Sequence, residues 1–397
     1  MNVLLVTTAF PRWVGDVEGT FILDFARALT SQGLSVRVLA MHSPRARRRE
    51  TLSGVEVHRP PYWWPASREA LRKDLGGLPV NLKGHPGRWA QMLPLVLVHS
   101  REASRLAREA DLIHAHWTLS GLCALPASRR WQKPLVLTVQ GSDMLQAAQG
   151  LLGSWTARLA LRHCDQVTAL SRALADRVLQ FGIPTSKVTI IPNGVDTDYF
   201  HPPPSDAREN QVVFIGSLIP RKGVNYLIEA MPQVLRAVPN VQLVLVGDGP
   251  LRRELEEFAR RRGLEGKVQF TGAQPPSGVR SFLQQAKVLV LPSVQEGQGV
   301  VLLEAMACGT PVVASSVDGI PDVVSSDSGR LVAPRAPGPL ADAIVSLLSD
   351  PTLWARMSRT AREQAVSRFS WEKIAAKFID LYQRLTARPE PEGVRAR

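Results

Sequence analysis

The stretch EGQGVVLLEAMACGTPVVA, residues 296–314, carries the clearest structural information in the chain. Two glycines follow Glu296, a small and apolar helical run ends at Gly309, and a β-branched segment comes next. Glycines let a backbone approach a ligand closely, and the N-terminus of a helix attracts phosphate. A loop, a helix and a buried strand in this order are typical of an α/β domain that binds its ligand at the loop.

Two glutamates in this stretch are candidate ligand-binding residues. Glu296, on the loop, can accept hydrogen bonds from sugar hydroxyls. Helix geometry places Glu304 about two turns into the helix, where it can bind a second pair of hydroxyls such as those of ribose. The alternative is a glycine-rich strand-to-helix turn with a solvated glutamate at each end.

Length and composition predict two globular domains. The 397 residues exceed one ordinary domain and suit two of roughly 200 residues each. Cys123, Cys164 and Cys308 lie far apart, which excludes a disulfide framework or a thiolate zinc site and suits a reducing cytoplasm. With no secretory leader and no run of about 20 apolar residues, we expect a cytoplasmic protein, at most peripheral at the inner membrane face.

The chain is basic, mostly in its first half. The net charge is +13, and residues 1–200 hold 24 Lys/Arg against 15 Asp/Glu, a net of +9. Tyr62, Trp63, Trp64 and Trp89 lie among several of these bases in an irregular stretch. Aromatic residues interleaved with bases suit an anionic membrane surface or a bulky anionic acceptor. An irregular excursion over a sheet edge with a solvated Arg-rich surface is the alternative.

Short apolar runs alternate with amphipathic segments along most of the chain. Continuous hydrophobicity marks strands buried on both faces, as in parallel sheets, and the βαβ alternation occurs twice. We predict two Rossmann-like, doubly wound α/β domains joined by a proline-rich hinge, then a final helix capped by Ser370 and a disordered tail. The predicted boundaries are 1–200, 201–370, 371–387 and 388–397.

Two further loops follow predicted strands. Gly216-Ser-Leu-Ile-Pro-Arg221-Lys222-Gly223 puts a glycine turn and two bases at a helix start, which suits a diphosphate. It is neither a Walker A motif nor a G-x-G-x-x-G fingerprint, and an Arg-Lys pair there is otherwise only a solvated pair. A glycine-bearing loop that ends near Gly19 follows the first strand, where open α/β sheets bind ligands.

Polar residues also end two strands of the first half. His114 and His116 share one side of a strand by alternation, and Gln140-Gly-Ser-Asp143 ends the next strand. The histidine pair lacks a further ligand at metal spacing, and Asp196-Thr-Asp198 lies in a turn that leads to the hinge. We therefore expect no metal and no cofactor.

Taken together, these segments resemble the family 4 glycosyltransferases, which are retaining enzymes with the GT-B fold. The resemblance spans nearly the whole chain and is carried by GSLIPRKG (216–223), VGDGP (246–250), EGQGVVLLEAMACGTPVVA (296–314), GIPDVV (319–324), IPNGVDTDYF (191–200) and DLIHAHW (111–117). It implies two Rossmann-like domains that face a central cleft, with the donor held mainly by the C-terminal one. It also implies a last helix that crosses back to the N-terminal domain.

The implied activity is a hexosyltransferase that moves a hexose from a nucleotide-diphosphate sugar to a hydroxyl of a glycan, lipid-linked or small-molecule acceptor. By resemblance, Arg221 and Lys222 neutralise the diphosphate, Glu304 binds ribose and Glu296 holds the donor sugar. The departing diphosphate takes the acceptor proton, so no metal is required. The candidate catalytic residues are Glu296, Arg221, Lys222 and His116. The candidate donor-binding residues are Gly19, Gly216, Gly297, Gly299, Val300 and Glu304. The candidate residues on the acceptor side are Gln140, Asp143 and Trp117.

Two residues depart from the pattern of many relatives. Gln140 stands where they have a histidine near the donor sugar, and glutamine can hydrogen-bond a hydroxyl but cannot titrate. Ser217 stands where many have arginine, which leaves more of the phosphate charge to Arg221. Two other functions fit the sequence: a nucleotide-sugar epimerase of the same fold, or a non-catalytic binder of sugar or nucleic acid. As partners we expect a nucleotide sugar and an acceptor, and no nucleic acid.

Overall fold

The computed structural model describes residues 1–16, 18–72, 78, 82, 85–141, 143, 144, 151–205 and 208–387. Within these residues the chain forms two α/β units, each built on one largely parallel sheet. This is the predicted fold class. The predicted disordered tail, 388–397, lies outside the described residues.

Eight strands form the first sheet in the order β3-β4-β2-β1-β5-β6-β7-β8, and all neighbours are parallel except β3 and β4. The strands are β1 Asn2–Thr7, β2 Ser35–Ala40, β3 Arg49–Leu52, β4 Val55–His58, β5 Leu112–His116, β6 Leu135–Val139, β7 Gln166–Ala169 and β8 Val188–Ile190. The β3/β4 hairpin was not predicted, because its strands are short and carry charges at the sheet edge. Ser53 and Gly54 both have positive φ, as a tight hairpin turn requires.

Apolar residues fill both faces of this sheet. Leu4 and Val6 of β1 lie in one core cluster, whereas Val3 and Leu5 lie in another. Alternate side chains of a strand point to opposite faces, so β1 is covered on both sides. The helices of this unit are α1 Thr20–Ser31, α2 Met92–Leu106, α3 Thr118–Trp131, α4 Leu151–His163 and α5 Arg172–Gln180.

The second sheet has six parallel strands in the order β11-β10-β9-β12-β13-β14, the 3-2-1-4-5-6 order of doubly wound folds. Its strands are β9 Glu209–Ile215, β10 Gln242–Val246, β11 Val268–Gly272, β12 Ala286–Leu291, β13 Val312–Ser315 and β14 Gly329–Val332. The helices are α6 Val224–Ala237, α7 Arg252–Arg261, α8 Pro276–Gln285, α9 Val300–Ala307, α10 Ile320–Val323, α11 Pro337–Ser349 and α12 Pro351–Phe369.

The last helix, α13 (Trp371–Thr386), returns to the first unit. The Ser370 hydroxyl accepts a hydrogen bond from the Lys373 N–H at 3.4 Å and caps its start, as the sequence suggests. Buried α13 residues share the core cluster that contains Phe25 of α1; they are Trp371, Ile374, Ala375, Phe378, Leu381 and Tyr382. The exact domain boundaries near residues 200 and 370 stay predictions.

If the antiparallel β3 is set aside, each sheet reverses its strand order once. In the first sheet the reversal lies between β1 and β5, and in the second it lies between β9 and β12. Open α/β sheets bind ligands in the crevice beyond the carboxyl ends of the strands at such a point. The loops after these four strands are therefore the ones to inspect for a site.

Candidate active site

A cleft of about 390 Å³ lies between the two units at these strand reversals. The second unit supplies the loop after β9, the loop after β12 and the start of α9. The first unit supplies the first turns of α1, and the turn 194–200 and α13 complete the wall. The lining residues are Thr20, Phe21, Asp24, Gly194, Val195, Asp196, Phe200, Ile215, Gly216, Ser217, Arg221, Lys222, Glu296, Gly299, Val300, Val301, Glu304 and Trp371.

An ion pair joins the two loops of the second unit. Lys222 lies on a 3₁₀ turn, Pro220–Lys222, and its Nζ donates a hydrogen bond to Oε2 of Glu296. The Ser293 hydroxyl donates to the same oxygen at 3.3 Å. Burial raises the pKa of Glu296, but the charge and hydrogen bond of Lys222, together with Arg221, bring it below its usual value. The cleft floor therefore holds an ionised glutamate beside two bases.

The loop after β12 is hydrogen-bonded to the first unit and to the segment that follows β8. The Glu296 N–H donates to Oδ2 of Asp318 at 2.9 Å, and Oδ1 of Asp318 accepts from Nη2 of Arg177 on α5 at 2.6 Å. Gln298 accepts from the Asn193 N–H at 2.8 Å and donates to the Asn193 carbonyl at 3.3 Å. These bonds span both units, so the loop that carries Glu296 is held between them.

Two of the predicted glycines are needed for close backbone approach. A Cβ on Gly297 would lie 2.9 Å from the carbonyl oxygen of Gln140, which belongs to the other unit. Gly19 has φ 75°, and a Cβ there would lie 2.7 Å from the Phe10 nitrogen. Thr20, rather than Gly19, forms the cleft wall, and Gly297 packs against the opposing loop.

Helix α9 begins later than the sequence suggests. Gly299 precedes it with φ 84°, and the helix runs over Val300–Ala307. Glu304 therefore lies little more than one turn from its start, and the predicted depth of about two turns was wrong. The loop extends further because Gly297 and Gln298 are held by the contacts described above. Val300 and Glu304 both line the cleft, as do Gly216 and Gly299.

A second carboxylate faces Glu304 from the first unit. Asp24 of α1 also lines the cleft. Burial, and then the negative charge of Asp24, raise the pKa of Glu304 to about 7. Burial, and then the charge of Asp196, raise the pKa of Asp24 to about 6, although Arg27 opposes the shift. Each unit thus contributes one acid that is easily protonated.

Sequence reasoning missed several lining residues, among them Asp24, Asp196 as a wall residue, and Trp371. The available signal for Asp24 was an acidic residue one turn after Thr20 in the otherwise apolar start of α1. Trp371 carried no signal, because only the tertiary fold returns α13 to the cleft.

His116 is buried and does not belong to the lining residues. Its Nδ1 lies 3.1 Å from Nε2 of Gln140. Burial lowers the pKa of His116 to about 3, so the ring is neutral and Nδ1 accepts the amide proton. Among the described residues its Nε2 has no hydrogen-bond partner. The contact of His116 is therefore with Gln140, and the predicted catalytic role of His116 stays a prediction.

Neighbouring His114 joins the crossover helix to the sheet. Its Nδ1 lies 2.6 Å from the Tyr382 hydroxyl, and its Nε2 lies 2.6 Å from the Thr138 hydroxyl. Burial, and then the proximity of His116, lower the pKa of His114, which keeps the ring neutral. This chain of hydrogen bonds links α13 to β6, whose end presents Gln140.

Asp143 and Trp117 support the wall of the cleft. The Asp143 carboxylate accepts the N–H of Thr118 and the N–H of Gln140, each at 3.1 Å. Burial raises the pKa of Asp143, although these backbone bonds oppose the shift. The ring of Trp117 packs edge-on against Phe21, a lining residue, at 5.9 Å. Of the three predicted acceptor-side residues, Asp143 and Trp117 thus contact neighbouring parts of the site.

In the part of the chain that the structure describes, no group of three or more His, Cys, Asp and Glu side chains is placed to hold a metal ion. The expectation of a metal-free, cofactor-free reaction stays a prediction.

Two protein-family profiles match consecutive parts of the chain. The profile "Glycosyltransferase Family 4" matches residues 19–199, and "Glycosyl transferases group 1" matches residues 196–364. The chain belongs to glycosyltransferase family 4. This glycosyltransferase is 31% identical over 410 residues to D-inositol 3-phosphate glycosyltransferase of Xylanimonas cellulosilytica, which covers 94% of this chain and 93% of the relative.

Solved structures show the same fold. Sucrose-phosphate synthase from Thermosynechococcus elongatus matches this glycosyltransferase with a TM-score of 0.79 and 24% identity over 98% of this chain and 99% of that chain. Anabaena HepE in complex with UDP-glucose matches with a TM-score of 0.72 and 22% identity over 97% and 100%. The family and the two facing sheets establish a GT-B glycosyltransferase.

Proposed function

We propose that this glycosyltransferase moves a hexose from a nucleotide-diphosphate sugar to a hydroxyl group, with retention of configuration and without a metal. The observation that carries the proposal is the cluster of Arg221, Lys222 and Glu296 at the meeting point of the two strand reversals. Two bases and the start of α9 suit a diphosphate, and the ionised Glu296 suits sugar hydroxyls.

The proposed chemistry breaks the bond between the anomeric carbon and the diphosphate oxygen and forms a bond to the acceptor oxygen on the same face. The electron pair leaves with the diphosphate, which takes the proton of the acceptor hydroxyl. Arg221 and Lys222 stabilise the charge that develops on the leaving group. Glu304 binds ribose hydroxyls, and Gln140, oriented by His116, donates or accepts a hydrogen bond at the donor sugar.

The site and two similar proteins support our proposals for the donor and the acceptor. HepE, which shares the fold, was solved in complex with UDP-glucose. The relative from Xylanimonas cellulosilytica is named for D-inositol 3-phosphate, a compound that bears hydroxyl groups. We propose a uridine, guanosine or adenosine diphosphate hexose as donor. We propose a glycan or lipid-linked hydroxyl at the inner membrane face as acceptor, because the first half of the chain is basic and rich in tryptophan.

A thermal-shift panel of UDP, GDP, ADP and their common sugars tests the donor part, first without metal and then with magnesium. We expect one nucleotide class to raise the melting temperature without metal. The anomeric configuration of the product, read by NMR, then tests retention. No shift with any nucleotide at millimolar concentration would contradict the donor site. Interconversion of a UDP-amino sugar without acceptor would instead establish the epimerase.

A further inference from the structure

The first unit carries a line of exposed apolar side chains along α2. Trp89, on the 3₁₀ turn Pro86–Gln91, and Leu93 and Leu97, on α2, follow one another at four-residue spacing. Their exposed fractions are 52%, 67% and 61%. Helical residues four apart lie on one face, so Leu93 and Leu97 share one face of α2. We call these two side chains, together with Trp89 on the preceding 3₁₀ turn, the α2 stripe.

The opposite face of α2 already packs against the protein. Leu95 lies about 200° around the helix from Leu93 and is buried in a cluster with Tyr62. His99, Ala103 and Leu106 continue this buried face. The α2 stripe is therefore an additional apolar face, one that the fold of this chain leaves uncovered, and such faces mark interaction sites.

A further exposed tryptophan lies near the start of the α2 stripe. Trp64 is 90% exposed. The turn Ala66–Arg68 that follows it is joined to the start of α2 by Gln91, whose Nε2 donates to the Arg68 carbonyl at 2.9 Å. The Ala70 N–H in turn donates to Oε1 of Gln91 at 3.0 Å. These two bonds fix the Trp64 turn beside the helix that carries the stripe.

The charge around the α2 stripe is positive. Arg68, in the turn after Trp64, and Arg101, on α2, are both exposed, whereas the buried Arg59 and Arg72 are paired with Glu50 and Glu18. Arg101 lies four residues beyond Leu97, so it extends the stripe with an exposed base. Leucines and tryptophans with bases on the same helix face are the combination that binds anionic lipid interfaces.

We propose that the α2 stripe, together with Trp64 and Arg101, docks this glycosyltransferase on an anionic lipid bilayer. The leucines enter the boundary between headgroups and acyl chains, the tryptophans lie at headgroup level, and Arg101 pairs with lipid phosphate. None of the helices in the described ranges is long and apolar enough to cross a membrane. The inference deepens the acceptor part of the proposed function and rests on it for its setting, since a lipid-linked acceptor would be met at this surface.

Co-sedimentation of the full-length protein with phosphatidylglycerol–phosphatidylcholine vesicles tests the proposal. We expect binding to these vesicles and binding weaker by roughly tenfold or more to pure phosphatidylcholine. The double variant Leu93→Gln/Leu97→Gln should lose a similar factor, because two partly inserted leucines are replaced by polar side chains that keep the helix. Because vesicle binding is measured without a donor, the docking proposal can fail while the proposed glycosyl transfer holds. Equally, glycosyl transfer can fail while the docking proposal holds.

The matched control is Leu331→Gln/Val366→Gln, which removes two exposed apolar side chains from the second unit. It should bind vesicles as the wild type does, and circular dichroism of both double variants should be unchanged. Arg101→Ala should weaken binding to the anionic vesicles, whereas the exposed Arg253→Ala should not. No binding by the wild type, or equal binding by the Leu93→Gln/Leu97→Gln variant, would overturn the proposal. Wild-type self-association that this variant alone abolishes, without vesicle binding, would assign the stripe to a second copy of the chain.

Discussion

The two walls of the cleft handle charge in opposite ways. On the second unit, Lys222 and Arg221 hold Glu296 in its ionised form. On the first unit, burial drives ionisable groups toward their neutral forms: the pKa values of His114 and His116 fall, and those of Asp24 and Asp143 rise. Glu304, on the second unit, is also shifted toward its neutral form, because burial and then the charge of Asp24 raise its pKa.

The difference indicates a division of tasks. Fixed positive charge suits a diphosphate leaving group. The other wall, which we call the neutral wall because burial shifts its groups toward their neutral forms, adds less negative charge beside that diphosphate. If this division is correct, substitutions on the charged wall should reduce the rate of transfer most. Those on the neutral wall should have smaller effects that depend on pH or geometry.

Removing the central base should have the largest effect. Lys222→Ala should lower kcat by about a hundredfold or more, because the charge that stabilises the leaving diphosphate is lost. Steady-state transfer assays give the value, and the exposed Arg253→Ala is the control for loss of one positive charge. Because Glu296 loses its partner, a melting curve must show that the variant is folded. A wild-type rate in folded Lys222→Ala would defeat the assignment of this wall.

Glu304→Ala should mainly weaken donor binding. We expect the KM for the donor to rise about tenfold with a smaller change in kcat, since a pair of hydroxyl hydrogen bonds is lost in both the ground state and the transition state. Glu257→Ala, an exposed glutamate on α7, is the matched control. An unchanged KM would remove Glu304 from the ribose role and leave the second unit with one functional glutamate.

The neutral wall should show no histidine titration near neutral pH. His116→Gln should lower kcat/KM only about threefold, by disturbing Gln140, and should keep every inflection of the pH profile between about 5 and 8. The reason is that the pKa of His116, about 3, lies outside that window. If the substitution deleted an inflection near pH 6 or 7, His116 would be a titrating catalyst and the contrast between the walls would fail.

The smallest effect is expected on stability at the acid pair. Asp24 and Glu304 have raised pKa values, about 6 and about 7, so between about pH 4 and pH 7 the folded chain holds more protons than the unfolded one. The free energy of unfolding contributed by this pair therefore falls as pH rises through that window.

Asp24→Asn removes half of that pair. It should raise the melting temperature at pH 7.5 by roughly 2 °C relative to the wild type, with little change at pH 4.5. Calorimetry across this range checks the result, with exposed Asp176→Asn as the control. An identical pH slope in wild type and Asp24→Asn would mean that the pKa of Asp24 is not raised in the folded chain.

The two walls also differed in how well the sequence predicted them. The charged wall comes from short loops directly after buried strands, such as 216–223 after β9, so motif, strand end and helix start lie together in the chain. The neutral wall is assembled from distant parts: Asp24 lies on α1 and Trp371 on α13, and Gln140, which packs against Gly297, follows β6. Their proximity is a product of tertiary packing, which no local pattern encodes.

Local structure explains the remaining differences. The parallel strands were predicted because they are continuously apolar, whereas the charged β3/β4 hairpin and the helix α2, with its extra exposed leucines, do not show a single clean periodicity. The start of α9 was misplaced because the Gly297 backbone packs against Gln140 of the other unit and the Gln298 side chain is hydrogen-bonded to Asn193. His116 was predicted at a strand end, and the structure adds that its buried ring contacts Gln140; its catalytic role stays a prediction.

Because α13 packs against the first unit, that unit can complete its core only after the end of the chain has been synthesised. Trp371, Ile374 and Phe378 complete the core beside α1, yet they are made after some 370 residues of chain. During translation the apolar surface of α1 that α13 covers therefore stays exposed until α13 is made. The core of the second unit can form before that point. We predict that nascent chains halted before residue 371 keep the first unit protease-sensitive. Pulse proteolysis of stalled ribosome complexes would reveal this, and protection already at that length would show that the first unit does not need its last helix.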